Sequence, residues 1–380
     1  MDFKLSEREE LLRKSIREWA EKEIPPYMAA MEETGEFPVE LIKPMADMGI
    51  NGVITPQEYG GTAMGHLARV IVLEELGRVC PAIPMAMQVH HMCTYALDLF
   101  GTDEQKKKYL PRLATGETLG VLAVTDPSGG SDLAGMQTSA KLEGDKYILN
   151  GRKCFITNAH VSDTWVVIAR TGEGRKGLSA FIIEKDFPGA KPGRKEDKVG
   201  LRGANTGELV FQDCEVPAEN LLGGEGDGMT VALRGIVECG RPGMASVGLG
   251  ILNAALEEAV KFANERIAYG QPISRLQQIQ VYLAEIYSNL ELARLATYRV
   301  GWMVDQGMRV EAESALAKSF ACEAAARSAR RAIEVHGSYG IMREYAVQRL
   351  LRDAVVTIPA GGTGEIAKIV LSRAAMSVAG

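Results

Sequence analysis

The chain contains 380 residues, which is more than one hydrophobic core usually organises and enough for two or three domains. Its formal net charge of −6 argues against a nucleic-acid partner, because phosphate binding needs clustered positive charge. It has neither a run of 18 uncharged apolar residues nor an N-terminal apolar h-region, so we expect no membrane insertion and no signal peptide. The six scattered cysteines lack metal-ligand spacing, which predicts reduced thiols, a cytoplasmic location and no metal site.

The first part of the chain has helical periodicity. Ser6 and Glu9 form a capping-box pattern before an amphipathic stretch that runs through Glu21, and Pro25-Pro26 is expected to stop that helix. Apolar residues at helical spacing predict further helices at 39–48, 67–76, 85–100 and from 102 to about 115. We therefore expect an N-terminal α-helical domain over residues 1–117.

The middle of the chain, residues 118–228, consists of short β-rich runs separated by Gly, Asp and Asn. The runs are LGVLAVT, KYILNG, CFITN, TWVVIAR, LSAFIIE and GELVFQDCEV. Their period-2 alternation and β-branched residues predict strands of a small β-barrel or sandwich. No helix-length pattern separates them, which argues against a parallel doubly wound sheet.

The last part, residues 229–380, is helical again. Long, alanine-rich amphipathic stretches are predicted at 229–267, 275–305, 311–336 and 343–356, and a final helix follows the glycines at 361–364. Long helices with short connections are typical of a four-helix bundle. The predicted fold class is therefore α+β multidomain, with an N-terminal helical domain, a middle β-barrel or sandwich and a C-terminal four-helix bundle.

Four short segments have residue types suited to ligand binding. In residues 121–132 a strand ends in a turn rich in Gly, Ser and Thr, which offers N–H groups to an anion or to the edge of a ring. The same residue pattern is also typical of an ordinary hairpin loop. Residues 153–158, KCFITN, read as a buried strand. Arg266 at a helix end suits a pyrophosphate or a surface salt bridge. Residues 360–366, AGGTGEI, run from glycines into a helix, which suits an anion site at the helix start or simply a flexible start.

Taken in order, these segments resemble one family over essentially the whole chain. TDPSGGSD, KCFITN, KVGLRGANTGELVFQDCEVP, ERIAYGQPI with Gln277, HGSYGIMREYAVQRLLRDA and GGTGEI are similar to the acyl-CoA dehydrogenase family. The resemblance implies an enzyme with FAD bound between the β-domain and the bundle, completed by a second subunit. It further implies an acyl-CoA substrate, an electron-transferring flavoprotein as partner and a homo-oligomer, expected to be a tetramer.

The resemblance also assigns residues, each carried over by its place in a matching motif. Arg266, Tyr269 and Gln277 are expected to reach the cofactor of the neighbouring subunit. The full set of expected cofactor-binding residues is Leu122, Val124, Thr125, Gly130, Ser131, Phe155, Ile156, Thr157, Arg266, Tyr269, Gln277, Glu334, Val335, Gly337, Ser338, Thr363 and Glu365. The expected substrate-binding residues are Ser131, His91, Glu238, Arg241 and Gly362.

The departures from the family pattern concern the catalytic base. Most members place a glutamate where this chain has Gly361, and others place one where it has Gly240. Both customary bases are therefore missing. Smaller departures are Asp126 for a glutamate, Glu334 for a glutamine and Ser338 for a glycine, and Glu334 adds a negative charge near the expected flavin site.

Three functions remain open on this evidence. In the first, His91 serves as a relocated base for an alicyclic or already unsaturated acyl-CoA such as cyclohexene-carboxyl-CoA, although a packing histidine has the same pattern. In the second, the protein is a non-oxidative lyase or desulfinase, which needs an arginine for the leaving anion, and the sequence shows none near His90. In the third, it binds FAD and acyl-CoA without turnover.

Overall fold

The computed structural model describes residues 4–378, apart from the side chain at position 175, and begins with a helical segment. Its helices are α1 Glu7–Glu23, α2 Pro25–Thr34, α3 Ile42–Asp47, α4 Gly65–Val79, α5 Ala82–Phe100 and α6 Asp103–Ala114. None of the helices in this described range combines the length and the apolar character that a membrane span requires. All six cysteines are buried free thiols.

The start of α1 confirms the predicted capping box. The prolines at 25 and 26 were expected to stop the first helix, and they do follow its end, but they also begin the next helix. The Ser6 hydroxyl accepts a hydrogen bond from the amide of Glu9 at 3.3 Å, and the Glu9 carboxylate accepts one from the Ser6 amide at 2.7 Å. α1 ends at Glu23, but Pro25 then opens α2, because the first turn of a helix does not need the N–H that proline lacks. The helix expected at 39–48 is a 3₁₀ turn followed by α3.

The middle of the chain forms strands β1 Gly120–Ala123, β2 Ser139–Glu143, β3 Lys146–Thr157, β4 Thr164–Arg170, β5 Leu178–Glu184, β6 Ala190–Lys195, β7 Thr206–Pro217 and β8 Leu221–Leu222. They make one eight-stranded sheet in the order β6-β7-β3-β2-β4-β5-β8, with β1 paired in parallel to β4. The runs KYILNG and CFITN are one strand, β3. Strands β2 and β6 were not predicted, because both are largely exposed and lack the alternation of a half-buried strand.

Strand β4 shows how the sheet is held between two apolar layers. Trp165 and Val167 point into the interior of the β-domain, where they pack with Leu209 of β7. Val166 and Ile168 point the other way, into a cluster formed with helices α5 and α6. All the residues named on β4 are fully buried. The sheet is therefore fixed to the N-terminal helices through every second side chain.

The C-terminal helices form the bundle, and one predicted helix proves to be three segments. The bundle elements are α7 Gly228–Arg234, a π-helix Gly235–Gly240, α8 Arg241–Glu265, α9 Gln277–Asp305, α10 Glu311–His336, α11 Ala346–Thr357 and α12 Gly364–Met376. The break at the π-helix follows from Pro242, which has no N–H to donate to the carbonyl of Glu238 one turn back. A short two-stranded ribbon joins α8 to α9: β9 Ile267–Ala268 and β10 Gln271–Pro272.

Helix α8 is the central element of the bundle, and glycines set its distance from its neighbours. A Cβ atom built at Gly77 of α4 would lie 3.1 Å from the Cα of Gly250, and one built at Gly250 would overlap the backbone of Gly77. On the opposite side, a Cβ at Gly248 would lie 3.1 Å from the backbone of Ala321 in α10. The three helices therefore pack backbone against backbone.

We predict that Gly250→Ala lowers the melting temperature by about 5 °C or more, because the added methyl group forces α4 and α8 apart. Differential scanning calorimetry measures the effect. Gly172→Ala is the matched control, since its methyl group would meet only Gly177 at an ordinary 3.5 Å. Equal melting temperatures for the two variants would contradict the close helix packing.

Candidate functional site

A buried ion pair anchors the glycine-rich loop that follows β1. The Lys153 ammonium donates to the Asp126 carboxylate at 2.5 Å and to the Val124 carbonyl at 3.0 Å. Asp126 also accepts the amides of Gln137 and Thr138 at 2.8 and 2.7 Å. Burial opposes its charge, yet the Lys153 charge and these hydrogen bonds together keep the pKa of Asp126 below its ordinary value. Asp126 therefore supports the base of the loop as an ionised side chain.

Next to this loop, strand β3 turns an aromatic ring outward. The register between β3 and β7 shifts between Lys153 and Ile156, and Phe155 in the bulge has a φ of 57° and is 68% exposed. The Cys154 amide donates to the Thr125 carbonyl at 2.8 Å, which ties the bulge to the loop. An exposed ring beside exposed Gly and Ser backbone is a surface suited to a planar, polar-edged ring system.

The other cofactor-binding residues expected in the β-domain lie beside the loop after β1 and the bulge of β3. Ile156 and Thr157 continue β3 as buried residues, and a Cβ built at Gly235 of the π-helix would lie 2.6 Å from Leu122. Gly130 and Ser131 are exposed at the tip of the loop. The β-domain side of the expected cofactor site is thus contiguous with the π-helix of the bundle.

A second group of expected cofactor residues lies at the far end of α8. Arg266 follows the last residue of α8, and its guanidinium carbon is 5.6 Å from the centre of the Tyr339 ring. Tyr269 has a φ of 53° and is 92% exposed at the tip of the β-ribbon, and Gln277 begins α9. Val335, Gly337 and Ser338 come from the end of α10 nearby.

The charge of Glu334 is compensated within the same helix. Its carboxylate accepts from Arg331 at 2.6 Å and from Arg330 at 3.2 Å. The hydrogen bond from Arg331 is the main cause that lowers the pKa of Glu334. The negative charge that replaces the family's glutamine is therefore balanced by two guanidinium groups.

The two glycines that replace the customary bases face one another. A Cβ built at Gly361 would lie 3.9 Å from the carbonyl oxygen of Gly240 and 2.9 Å from Met244 Cγ. A Cβ built at Gly240 would meet the terminal sulfur and methyl group of Met92 at 3.0 Å. Both positions thus adjoin one small region between α5, α8 and the loop before α12, and the side chains of Met92 and Met244 line it.

The loop that carries Gly361 is held in place by a buried lysine. Lys318 of α10 donates to the carbonyls of Ile358 and Gly362 at 2.5 and 2.7 Å. Gly361 and Gly362 have φ values of 69° and 104°, a region that L-residues with a side chain rarely adopt. Thr363 caps α12 by accepting from the Ile366 amide at 3.4 Å, and Glu365 lies in its first turn.

Both histidines on α5 are fully buried, and all four of their ring nitrogens have partners. His91 Nε2 donates to the Ile50 carbonyl at 2.8 Å, and its Nδ1 accepts from Arg69 Nε at 3.2 Å. His90 Nε2 donates to the Asn51 carbonyl and its Nδ1 accepts from the Gly120 amide, both at 3.2 Å. Burial lowers the pKa of His90 to about 4 and that of His91 well below its ordinary value. This arrangement leaves His91 no free lone pair and does not favour it as a base.

Arg69 is the residue of this region that the sequence did not reveal. No arginine was expected near His90, but Arg69 of α4 reaches the histidine pair from a different helix and donates to the Cys239 carbonyl at 2.9 Å. Its side chain is fully buried. The expectation that no arginine lies near the histidines was therefore wrong. The contact was not visible in the sequence, because 22 residues separate Arg69 from His91 in the chain.

Two charged residues complete the region around the π-helix. Glu238 accepts from Arg234 Nη2 at 2.9 Å and from the Tyr95 hydroxyl at 2.5 Å. Arg241 is 8% exposed, and burial lowers its pKa. Those two bonds end on Oε2, and Oε1 accepts from Arg234 Nε at 2.9 Å, so both oxygens of Glu238 have partners.

The expected site residues therefore form two groups, at opposite ends of α8. Arg241 begins this 25-residue helix and Arg266 follows it, so the two are about 37 Å apart at about 1.5 Å per residue. The loop after β1 and the two facing glycines belong to the first end. The ribbon and the end of α10 belong to the second. One chain brings together the members of each group, but not the two groups.

Comparison with known proteins gives the same assignment along the whole chain. Family models for the N-terminal, middle and C-terminal domains of acyl-CoA dehydrogenases match residues 6–117, 121–214 and 226–376. An acyl-CoA dehydrogenase of Bacillus subtilis is 42% identical over 366 residues, covering 96% of each chain. An acryloyl-CoA reductase (NADH) of Anaerotignum propionicum is 39% identical, covering 99% of this chain and 96% of the relative.

A solved structure agrees with these relatives. The butyryl-CoA dehydrogenase of Megasphaera elsdenii superposes with a TM-score of 0.96 at 35% identity, covering 99% of this chain and all of that one. The fold and the site thus define a flavin-dependent oxidoreductase of CH–CH bonds. The chain belongs to the acyl-CoA dehydrogenase family, whose cofactor is FAD and whose substrates are acyl-CoA thioesters.

We predict that Asp126→Asn releases FAD and destabilises the protein by about 3–5 kcal/mol, because it leaves the buried Lys153 charge unpaired. The flavin-to-protein absorbance ratio after gel filtration and urea unfolding measure the two effects. Glu143→Gln is the control, since its ion pair with Lys141 is exposed and should change stability by less than about 1 kcal/mol. Full FAD retention by Asp126→Asn would show that the ion pair does not support the loop.

Proposed function

We propose that this protein reduces α,β-unsaturated acyl-CoA thioesters, with FAD as its cofactor. The observation that carries the proposal is the pair of facing glycines, Gly240 and Gly361, at the positions where the family places its carboxylate base. The 39% identity to an enzyme named acryloyl-CoA reductase supports this direction. When bound, FAD supplies a hydride donor or acceptor next to the thioester.

The argument concerns the driving force of proton transfer. Removing a general base slows a reaction by about a hundredfold or more, and it slows both directions equally because the equilibrium constant fixes their ratio. The downhill direction then keeps a useful rate. Water protonates a substrate carbanion readily, whereas it removes a proton from carbon poorly. For a reduced flavin and a conjugated C=C bond the downhill direction is reduction, so a site with two glycines suits an enzyme that works in this direction.

The chain's own residues act by binding and positioning. Lys318 fixes the loop that carries Gly362, an expected substrate contact, while Asp126 and Lys153 fix the loop on the other side of the site. Met92 and Met244 pack against the two glycines and line the region around them. These residues orient the thioester and leave the proton to solvent.

The same site bears on the alternatives. Oxidation of an alicyclic or already unsaturated acyl-CoA by a relocated base remains a prediction, but with His91 buried and bonded at both nitrogens another group has to move the proton. Elimination of an anion gains support from Arg69 beside the histidines. Binding without turnover gains no support, because the chain keeps the residues that the family resemblance assigns to the flavin.

We further propose a homo-oligomer, with a tetramer as the expected form, in which each FAD bridges two subunits. The distance of about 37 Å along α8 exceeds what one cofactor spans between its ring and its pyrophosphate. An exposed apolar stripe on α9 fits a second copy: Val281, Leu292, Leu295 and Trp302 lie on one face and are each 45–56% exposed. An electron-transferring flavoprotein is the proposed redox partner.

The proposed direction predicts an asymmetry between two anaerobic mixing experiments. Chemically reduced enzyme mixed with an α,β-unsaturated acyl-CoA should regain its flavin absorbance within seconds, because solvent supplies the proton. Oxidised enzyme mixed with the saturated partner should bleach at least about a hundredfold more slowly. Stopped-flow absorbance with straight-chain, cyclohexane- and cyclohexene-carboxyl thioesters measures both.

Each other function has its own outcome in these experiments. Rapid bleaching by an alicyclic thioester would replace reduction by oxidation with a relocated base. Release of sulfite from a sulfinoacyl-CoA without a flavin change would indicate elimination. Bound thioester with neither signal would indicate a binding protein.

We predict that Gly240→Glu raises the bleaching rate with saturated acyl-CoA by about a hundredfold or more, by restoring a base. This position accepts a side chain more easily than Gly361, because its backbone is helical and the nearest obstacle is the flexible end of Met92. Rapid mixing measures the gain. Gly240→Gln is the control, with equal size and no base, and an equal gain for both would attribute the effect to packing.

A further inference from the structure

Arg69 is a buried cation with unused hydrogen-bonding capacity. Its Nε and Nη2 donate to His91 and to the Cys239 carbonyl, but Nη1 has no hydrogen-bond partner in the described part of the chain. The whole side chain is inaccessible to solvent. A buried guanidinium donor without an acceptor is costly, so its retention calls for an explanation.

The charge of Arg69 also lacks a counter-ion. Among the described residues no carboxylate forms an ion pair with it. The nearby Glu238 is already paired with Arg234 and Tyr95. Burial accordingly lowers the pKa of Arg69. The protein thus keeps an unneutralised positive charge in its interior, where an anion would gain the most.

A second unpartnered polar atom lies beside the same glycine. A Cβ built at Gly243 would lie 2.6 Å from Arg69 Nη2 and 3.0 Å from Gln88 Oε1. Gln88 is 3% exposed, and its Oε1 has no partner within the described residues. Because Gly243 has no side chain, Arg69 Nη2 and Gln88 Oε1 can both approach the backbone of α8 at this point.

This polar position lies about one helical turn from the reaction region. Gly240 and Gly243 are three residues apart at the start of α8, and they meet Met92 and Gln88, which are four residues apart on α5. One turn corresponds to about 5.4 Å. An acyl chain that ran from the two facing glycines along α8 in this direction would meet Arg69 at its far end.

We propose that the acyl group of the substrate ends in a carboxylate, which Arg69 binds at the closed end of the acyl pocket. The substrate class is then the coenzyme A monothioester of a short dicarboxylic acid. Nη1 donates to the carboxylate, the positive charge neutralises it, and His91 acts as a positioning residue that holds the guanidinium through Nε. This inference rests on the proposed acyl-CoA function and names its substrate class.

Binding of thioethers that cannot react tests the inference apart from turnover. Calorimetry of the FAD-loaded enzyme should show S-(3-carboxypropyl)-CoA and S-(4-carboxybutyl)-CoA binding about tenfold to a hundredfold more tightly than S-butyl-CoA and S-pentyl-CoA, the scale of a buried charge-assisted hydrogen bond. In Arg69→Met the preference should disappear or reverse. Arg299→Met, which removes an exposed arginine of α9, should keep it.

Stability separates a ligand-binding role from a structural one. Arg69→Met removes an uncompensated buried charge, so its melting temperature without ligand should equal or exceed that of the unchanged enzyme. If this variant does not fold, Gly243→Ala serves instead, because its methyl group displaces the guanidinium and should weaken only the carboxylated thioethers.

Two results would overturn the inference: equal affinity of the unchanged enzyme for the carboxylated and neutral thioethers, or an unchanged preference in Arg69→Met. Neither result depends on which direction of the reaction the enzyme catalyses. Conversely, the enzyme could prefer the carboxylated thioethers and yet show no flavin redox change in the anaerobic mixing experiments. That result would support the inference about Arg69 and contradict the proposed reductase function.

Discussion

The close approach of three helices around α8 is the constraint on which the rest of the site depends. Gly250 lets the backbone of α4 touch α8, and Gly248 lets α10 do so from the other side. Because backbones are in contact, side chains of both neighbours can reach the region at the start of α8. Arg69 of α4 donates to the Cys239 carbonyl just before α8, and Lys318 of α10 donates to the carbonyls of Ile358 and Gly362 in the loop that carries Gly361. Larger residues at the glycines would move both cations away from the reaction region.

The π-helix is the second element that shapes this region. Because Pro242 interrupts the regular hydrogen-bond pattern, one turn is widened between α7 and α8, and Cys239 presents its carbonyl to Arg69 there. The same turn carries Glu238 and Gly240 side by side. Three consecutive residues of this π-helix therefore have separate roles. Glu238 is a paired carboxylate, the Cys239 carbonyl binds Arg69, and Gly240 occupies a position where the family can place its base.

Much of the fold was predictable because most helices and strands have clear periodicity, as TWVVIAR and the stretch that became α5 show. The edges of the sheet were not, since the exposed strand β6 has no apolar alternation to reveal it. The departures at Gly240 and Gly361 were visible as motif positions. Arg69 was missed because its partners come from α5 and the π-helix, although a lone arginine within the apolar stretch LARVIVL was an available signal.

The length of α8 has a consequence for genetics as well as for chemistry. If each cofactor is shared as proposed, one chain contributes its loop after β1 to one site and its Arg266 region to another. Two mutant chains, each defective at a different end of α8, would then form some intact sites when they assemble into a mixed oligomer. Loss-of-function alleles at opposite ends of α8 should therefore complement one another in a cell, whereas alleles at the same end should not.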